Sequence, residues 1–160
     1  MKQTTNEDMI QNHIVSEVEM HYKCRIPKSE RQKVRSSKEA FNVAMTIYDK
    51  GLIGYREMLI AIYLNGGSDV LGYTIIGKGG TSFAPADPKL IFQAALLANA
   101  QAFVLVHNHP SGKLNPSKED KAITQRVAQA GQFLGIQLLD HIIICDDDEE
   151  YYSMKDNAEF

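Results

Sequence analysis

Two histidines one residue apart, His107 and His109, are followed eleven positions later by the carboxylate of Asp120. Imidazole nitrogens and carboxylate oxygens are ligands for a divalent metal. Two His and one carboxylate leave a fourth tetrahedral position for water, which is how a catalytic zinc site differs from a structural one. The apolar run Ala102-Phe103-Val104-Leu105-Val106 leads directly into the first histidine. A strand there delivers both imidazoles to its carboxyl end, where α/β sheets place their chemistry. Residues i and i+2 of a strand share a face, so the two rings point the same way. Metal-assisted hydrolysis is the chemistry these residues imply.

Each half of this pattern also has an ordinary explanation. His-x-His on a strand end describes two polar rim residues equally well. Ser117 follows Pro116 and precedes a long helical pattern, so it reads as an N-cap with Asp120 in the first turn, where the helix dipole favours a carboxylate. The two readings are compatible, because the Pro110-Ser111-Gly112 turn folds the chain back and aims the helix start at the histidines. Other metal chemistries lack their residues. Deaminases of the zinc class need a His-x-Glu and a Pro-Cys-x-x-Cys, whereas Cys24 and Cys145 stand far apart. The His-Glu-x-x-His helix of zincins is absent. The tripeptide His107-Asn108-His109 matches a nuclease family in name only, since that family spreads its residues over a longer element.

The string His-x-His-x7-Ser-x-x-Asp, from His107 to Asp120, resembles the JAMM (MPN+/JAB) metalloprotease motif. His107-Asn108-His109-Pro110-Ser111-Gly112, then Pro116-Ser117, Asp120, Thr124 and Leu139-Asp140-His141-Ile142-Ile143-Ile144, is similar to the RadC-like branch. The likeness runs over roughly residues 37 to 155. It implies a JAB/MPN, cytidine-deaminase-like fold and a zinc-dependent peptidase or isopeptidase with one Zn2+ per chain. His107, His109 and Asp120 would be the metal ligands. Glu57 matches the family's separate glutamate, a proton shuttle between water and the departing amine; its ordinary reading is a charge at a strand end. Ser117 matches the family's serine, which faces a developing oxyanion, while its capping role competes for the same hydroxyl. His141 belongs to the RadC-like pattern and reads equally as a partner that orients a ligand or as a satisfied core residue. A metal-binding or pseudo-enzyme module acting through protein or DNA partners is the alternative function.

The chain has 160 residues, 44% of them hydrophobic, which suits one α/β domain. Residues 1–36 read as an N-terminal strand and a basic connection, and 37–160 as the RadC-like metal-binding domain. No signal peptide or membrane-length apolar run is evident. Two distant cysteines suggest no disulfide framework, so a cytoplasmic location is expected. The net charge of −3 argues against a general nucleic-acid field. Lys23, Arg25, Lys28, Arg31, Lys33, Arg35 and Lys38 form a basic stretch with only Glu30 opposing them, but no aromatics interleave for base stacking. RadC-like proteins often carry a helix-hairpin-helix module, and no such pair is visible before the first core helix. Nucleic-acid binding is therefore expected to be weak at most, with a peptide or isopeptide as substrate.

Periodicity supplies the frame. Val18, Met20 and Tyr22 alternate as a strand. Ser36 with Glu39 predicts a capping box for a helix that ends before Gly51. Met58–Leu64 and Val70–Ile76 around Asn65-Gly66-Gly67-Ser68-Asp69 predict a hairpin. The Gly77, Gly79, Gly80 loop lacks the Lys-Ser/Thr ending of a phosphate loop. Asp87-Pro88 starts a second helix, with Leu90, Ile91, Ala94, Leu97 and Ala98 as its expected inner face. A third helix ends at Gly135, with Ile123, Val127, Ala130 and Leu134 inside. A strand from Ile136 to Cys145, interrupted by Asp140-His141, and a short strand at Tyr151–Met154 complete a mixed sheet flanked by helices.

Overall fold

The computed structural model describes Val18 and residues 24–79, 86–147 and 149–160. The expected strand at Met20 and Tyr22, and Gly80 of the glycine loop, lie outside these. The elements run α1 (Ser37–Ile47), β1 (Met58–Leu64), β2 (Val70–Lys78), α2 (Pro88–Leu97), β3 (Ala102–Asn108), α3 (Lys118–Leu134), β4 (Gln137–Ile144) and β5 (Tyr151–Ser153). One five-stranded sheet has the order β2-β1-β3-β4-β5. Only β3 and β4 are parallel, joined through α3, and the other pairs are antiparallel. The α/β class and the mixed sheet are as the sequence implies.

β1 is apolar along its whole length, and β3 up to Val106, because both faces of the sheet are covered there. Ile60, Ile62, Leu64, Val104, Val106, Ile142 and Ile144 pack with Phe41 and Ala44 of α1. The alternate residues Leu59, Ala61, Tyr63, Phe103 and Leu105 pack with Ile91, Phe92 and Ala95 of α2 and Val127 of α3. Each aliphatic side chain buried this fully contributes about 1.5–3 kcal/mol. One helix therefore lies on one face of the sheet and two on the other. Val34 also joins the first core, and the Val70 N–H bonds to the Gln32 carbonyl at 2.8 Å. The end of the basic connection is thus built into the sheet, with Lys33 paired to Asp69 at 2.5 Å.

Helix ends follow local chemistry. Ser36 Oγ accepts the Glu39 N–H at 3.2 Å, but Glu39 reaches back to the Arg35 N–H rather than to Ser36. Asp87 caps α2 through the Lys89 N–H, with Pro88 in the first turn. Gly135 ends α3 in the left-handed conformation at φ 69°, which costs a side-chain-bearing residue but not glycine. The Ile136 N–H then returns to the Gly131 carbonyl at 2.9 Å.

Two inner faces need correction. In α2 the buried residues are Ile91, Phe92 and Ala95, while Leu90 and Leu97 are exposed. In α3 Val127 is buried, with Thr124 and Gly131 beside it, and Leu134 lies outside. The segment Leu90-Ile91-Phe92-Gln93-Ala94-Ala95-Leu96-Leu97 is apolar nearly all round, so periodicity does not select a stripe. Contact with the sheet selects it. No helix of the described residues is long and apolar enough to cross a membrane.

Candidate metal centre

His107 is the penultimate residue of β3, on the face covered by α2 and α3, two positions beyond Leu105. His109 lies past the strand, but its N–H bonds to the Ile144 carbonyl at 2.9 Å and so prolongs the pairing with β4. The two rings consequently share a face, with their Nε2 atoms 2.8 Å apart. The chain turns where the Gly112 N–H meets the His109 carbonyl and reaches the start of α3 at Ser117. There Asp120 closes a capping box: its Oδ2 accepts the Ser117 N–H at 2.7 Å, and Ser117 Oγ accepts the Asp120 N–H at 3.0 Å. The cap holds the carboxylate against the histidines. Asp120 Oδ1 is 3.2 Å from His107 Nε2, and Oδ2 is 3.5 Å from His109 Nε2. His107, His109 and Asp120 each offer one ligand atom, all within 4.8 Å of one another.

The electrostatics fit such a cluster. Burial pushes the Asp120 carboxyl upward, but its close contacts with the His107 and His109 imidazoles and with the Ser117 hydroxyl outweigh it and hold the group well below the usual carboxylate range. Burial pushes His109 down, yet the Asp120 carboxylate and the Lys113 carbonyl lift it above its ordinary value. His109 Nδ1 is 2.6 Å from that carbonyl. A carbonyl can only accept, so Nδ1 carries a proton, and the neutral form of the ring offers its Nε2 lone pair to the cluster.

Glu57 is only 8% exposed. Leu59 pairs with His107 across β1 and β3, so Glu57, two residues before Leu59, falls on the same face of the sheet as the histidines. It lines the cavity of about 660 Å³ that also holds His107, His109, Ser117, Asp120 and His141. All six residues singled out in the sequence thus meet in one place. The Ser117 hydroxyl is engaged within it, donating to Asp120 Oδ2 at 2.6 Å. His141 is fully buried. Its Nε2 lies 2.8 Å from His107 Nδ1, and its Nδ1 lies 2.6 Å from Thr124 Oγ1. Burial pushes this imidazole well below its ordinary value. Asp140 faces the opposite layer, accepting the His141 and Lys155 N–H groups and the Ser153 hydroxyl.

Two supporting residues carried no role in the sequence reading. Asn108, between the histidines, points to the other face, where its side chain binds the Ile53 and Arg56 carbonyls and the Met58 N–H. These bonds clamp the segment that carries Glu57 to the end of β3. A signal existed: a polar residue placed on a buried face needs partners. Thr124 sits four residues after Asp120, one turn along the same face of α3.

A model of the RadC-like JAB domain matches residues 34–159. A UPF0758 protein of Flavobacterium johnsoniae is 37% identical over 129 residues, covering 81% of this chain and 54% of that protein. One of Carboxydothermus hydrogenoformans is 43% identical over 105 residues, 64% of this chain and 46% of the relative. Another, of Methanosarcina mazei, is 33% identical over 128 residues, 80% and 54% respectively. The chain spans about half the length of these curated relatives.

Proposed function

The chain belongs to the RadC-like JAB domain family, and on that footing we propose that it is a zinc-dependent metallohydrolase that cleaves a peptide or isopeptide bond. The observation that carries the reading is the buried Glu57 carboxyl in the same cavity as His107, His109 and Asp120. A binding module needs a metal cluster at most; a carboxylate base beside it serves proton transfer.

The donor set fits zinc. Tetrahedral ligand atoms at about 2.0–2.1 Å from the ion stand about 3.3 Å from one another. The two histidine–carboxylate separations, 3.2 and 3.5 Å, match this, while the 2.8 Å between the imidazole nitrogens must open slightly. The His109 lone pair and the ionised Asp120 converge on one point and call for a shared cation. When bound, zinc supplies a Lewis acid that brings the pKa of a coordinated water toward ~7.

The chain's own residues supply the remainder. His107, His109 and Asp120 hold the ion. Glu57 accepts the proton of the attacking water and returns it to the leaving nitrogen. Ser117 orients Asp120 through its hydroxyl, and it would serve a developing oxyanion only by withdrawing the proton it gives to Asp120 Oδ2. Leu59, Ala86 and Ile123 give the cavity an apolar side, suited to the substrate chain next to the scissile bond.

The test is Glu57→Gln, with His109→Ala as the control that loses metal. Glu57→Gln should keep zinc by elemental analysis and lose about 10²–10⁴-fold in hydrolysis of a peptide found by library screening. Turnover at the parental rate by zinc-loaded Glu57→Gln would refute the proton shuttle, and full zinc content in His109→Ala would refute the ligand set.

A further inference from the structure

We propose that Thr124 and His141 set the tautomer of His107, so that its Nε2 lone pair faces the metal position. The inference rests on the metal-centre reading but not on any hydrolytic activity.

Thr124, His141 and His107 form a chain of hydrogen bonds in which each donor forces the next. Thr124 Oγ1 lies 2.5 Å from the Asp120 carbonyl oxygen and 2.6 Å from His141 Nδ1. The carbonyl has no proton, so the single hydroxyl proton goes to it. The Thr124 oxygen is then left as an acceptor, and His141 Nδ1 must carry hydrogen. His141 is 1% exposed, and a buried ring without a carboxylate partner takes its neutral form. Its Nε2 is therefore a lone pair, 2.8 Å from His107 Nδ1. That nitrogen must donate, which leaves His107 Nε2 bare and directed at His109 and Asp120.

The chain also closes on itself mechanically. Asp120 offers its carboxylate to the cluster and its main-chain carbonyl to Thr124. Thr124 holds His141 of β4, and His141 holds His107 of β3. Two of the three ligands, on different elements, are thereby tied into one ring of contacts through buried groups. His109 is outside this ring and takes its tautomer from Lys113 in the exposed loop.

A metal-bound histidine ordinarily donates its second N–H to a carboxylate, carbonyl or water. Here the acceptor is another imidazole, which is useful only if something fixes that ring in turn. Without the Thr124 hydroxyl, His141 can shift its proton to Nε2. His107 is then driven to protonate Nε2, in direct competition with metal.

The experiment compares Thr124→Val, which keeps the shape, with Thr124→Ser, which keeps the hydroxyl. Zinc affinity is read by competition with a chromophoric chelator, and tautomers by long-range ¹H–¹⁵N imidazole NMR of the metal-free protein. Thr124→Val should bind zinc about 10–100-fold more weakly, and Thr124→Ser within about threefold of the parent. In the parent and in Thr124→Ser, His107 and His141 should both be protonated at Nδ1; in Thr124→Val this pattern should be lost. Unchanged affinity and unchanged tautomers in Thr124→Val would overturn the proposal, as would an equal loss in Thr124→Ser. If Thr124→Val does not fold, His141→Gln against His141→Leu decides. Glutamine still offers His107 an acceptor and should bind zinc more tightly than leucine, and equal affinities would overturn the idea. A parent protein that binds no zinc would overturn the metal reading itself, a result distinct from all of these.

Discussion

Asn108 offers a direct test of how Glu57 is held. Its side chain is completely buried, with Nδ2 2.6 Å from the Ile53 carbonyl and 2.8 Å from the Arg56 carbonyl, and Oδ1 2.8 Å from the Met58 N–H. Asn108→Ala deletes three hydrogen bonds and leaves one N–H and two carbonyls without partners. A buried polar group left unsatisfied costs about 1–3 kcal/mol. Some of that is recovered as the 53–57 segment relaxes toward water, so a net loss of about 2–4 kcal/mol is expected. At about 2–4 °C per kcal/mol for a chain of this size, melting should fall by about 4–16 °C. Asn108→Asp keeps the acceptor for Met58 but sets a second oxygen against two carbonyls, and it should melt no higher than Asn108→Ala at neutral pH. The assay is thermal unfolding followed by circular dichroism with a chelator present, so that metal linkage does not enter. Zinc content should survive in the folded variants, because the ligand backbone is held by β4. Hydrolysis should fall further than zinc binding, because Glu57 lies between Arg56 and Met58. An Asn108→Ala protein that melts within about 1 °C of the parent, a change below the ~0.5 kcal/mol scale of neutral surface substitutions, would refute the clamp.

Other substitutions test the frame around the site. A Cβ on Gly131 would stand 2.4 Å from the Ile136 carbonyl oxygen, so Gly131→Ala forces the α3–β4 turn to move and should cost about 1–3 kcal/mol in urea unfolding. A variant as stable as the parent would show that the turn yields freely. Ser117→Ala removes the acceptor of the Asp120 N–H and should lower stability by about 1 kcal/mol, with a smaller loss of hydrolysis than Glu57→Gln. An activity loss equal to that of Glu57→Gln would contradict the lesser role given to Ser117. Hydrogen bonds from Lys33 and the Asn65 amide hold the Asp69 carboxyl below its ordinary value of 3.8. A depressed acid contributes stability above its unfolded value and loses it as pH falls through the folded one. The stability gap between parent and Asp69→Asn should therefore be full near neutrality and shrink below about pH 4; a gap independent of pH would exclude the ion pair as its source.

Much of the frame was legible in the residues because its causes are local. The hairpin at 58–78, the Asp87-Pro88 helix start and the Gly135 helix stop each follow from a few neighbouring side chains. The six residues that meet in the cavity were also visible, though for two different reasons. His107, His109 and Asp120 announce themselves by ligand type and spacing. Glu57, Ser117 and His141 were singled out through the family likeness, since a strand-end glutamate, a capping serine and a strand histidine are each commonplace alone.

What the sequence determined by itself was the His107, His109 and Asp120 cluster and the order of strands and helices, because residue type, caps and turns act over a few positions. The tertiary structure decided which way the side chains face. The inner stripe of α2 moved to Ile91, Phe92 and Ala95 because its apolar residues encircle the helix, and only the packed sheet chooses among them. In β4 a register shift lies where Phe103 pairs with Leu138 but Val104 with Asp140. The extra residue, Leu139, reverses the alternation, as such an insertion must. Asp140 then turns to Ser153 in the α1 layer, and His141 turns to Thr124 and His107. Period-two reasoning has no means of placing that shift, since it depends on how β4 lies against its neighbour. The same dependence hides Asn108, whose three partners are about fifty residues away in sequence and come within reach only when β1 pairs with β3.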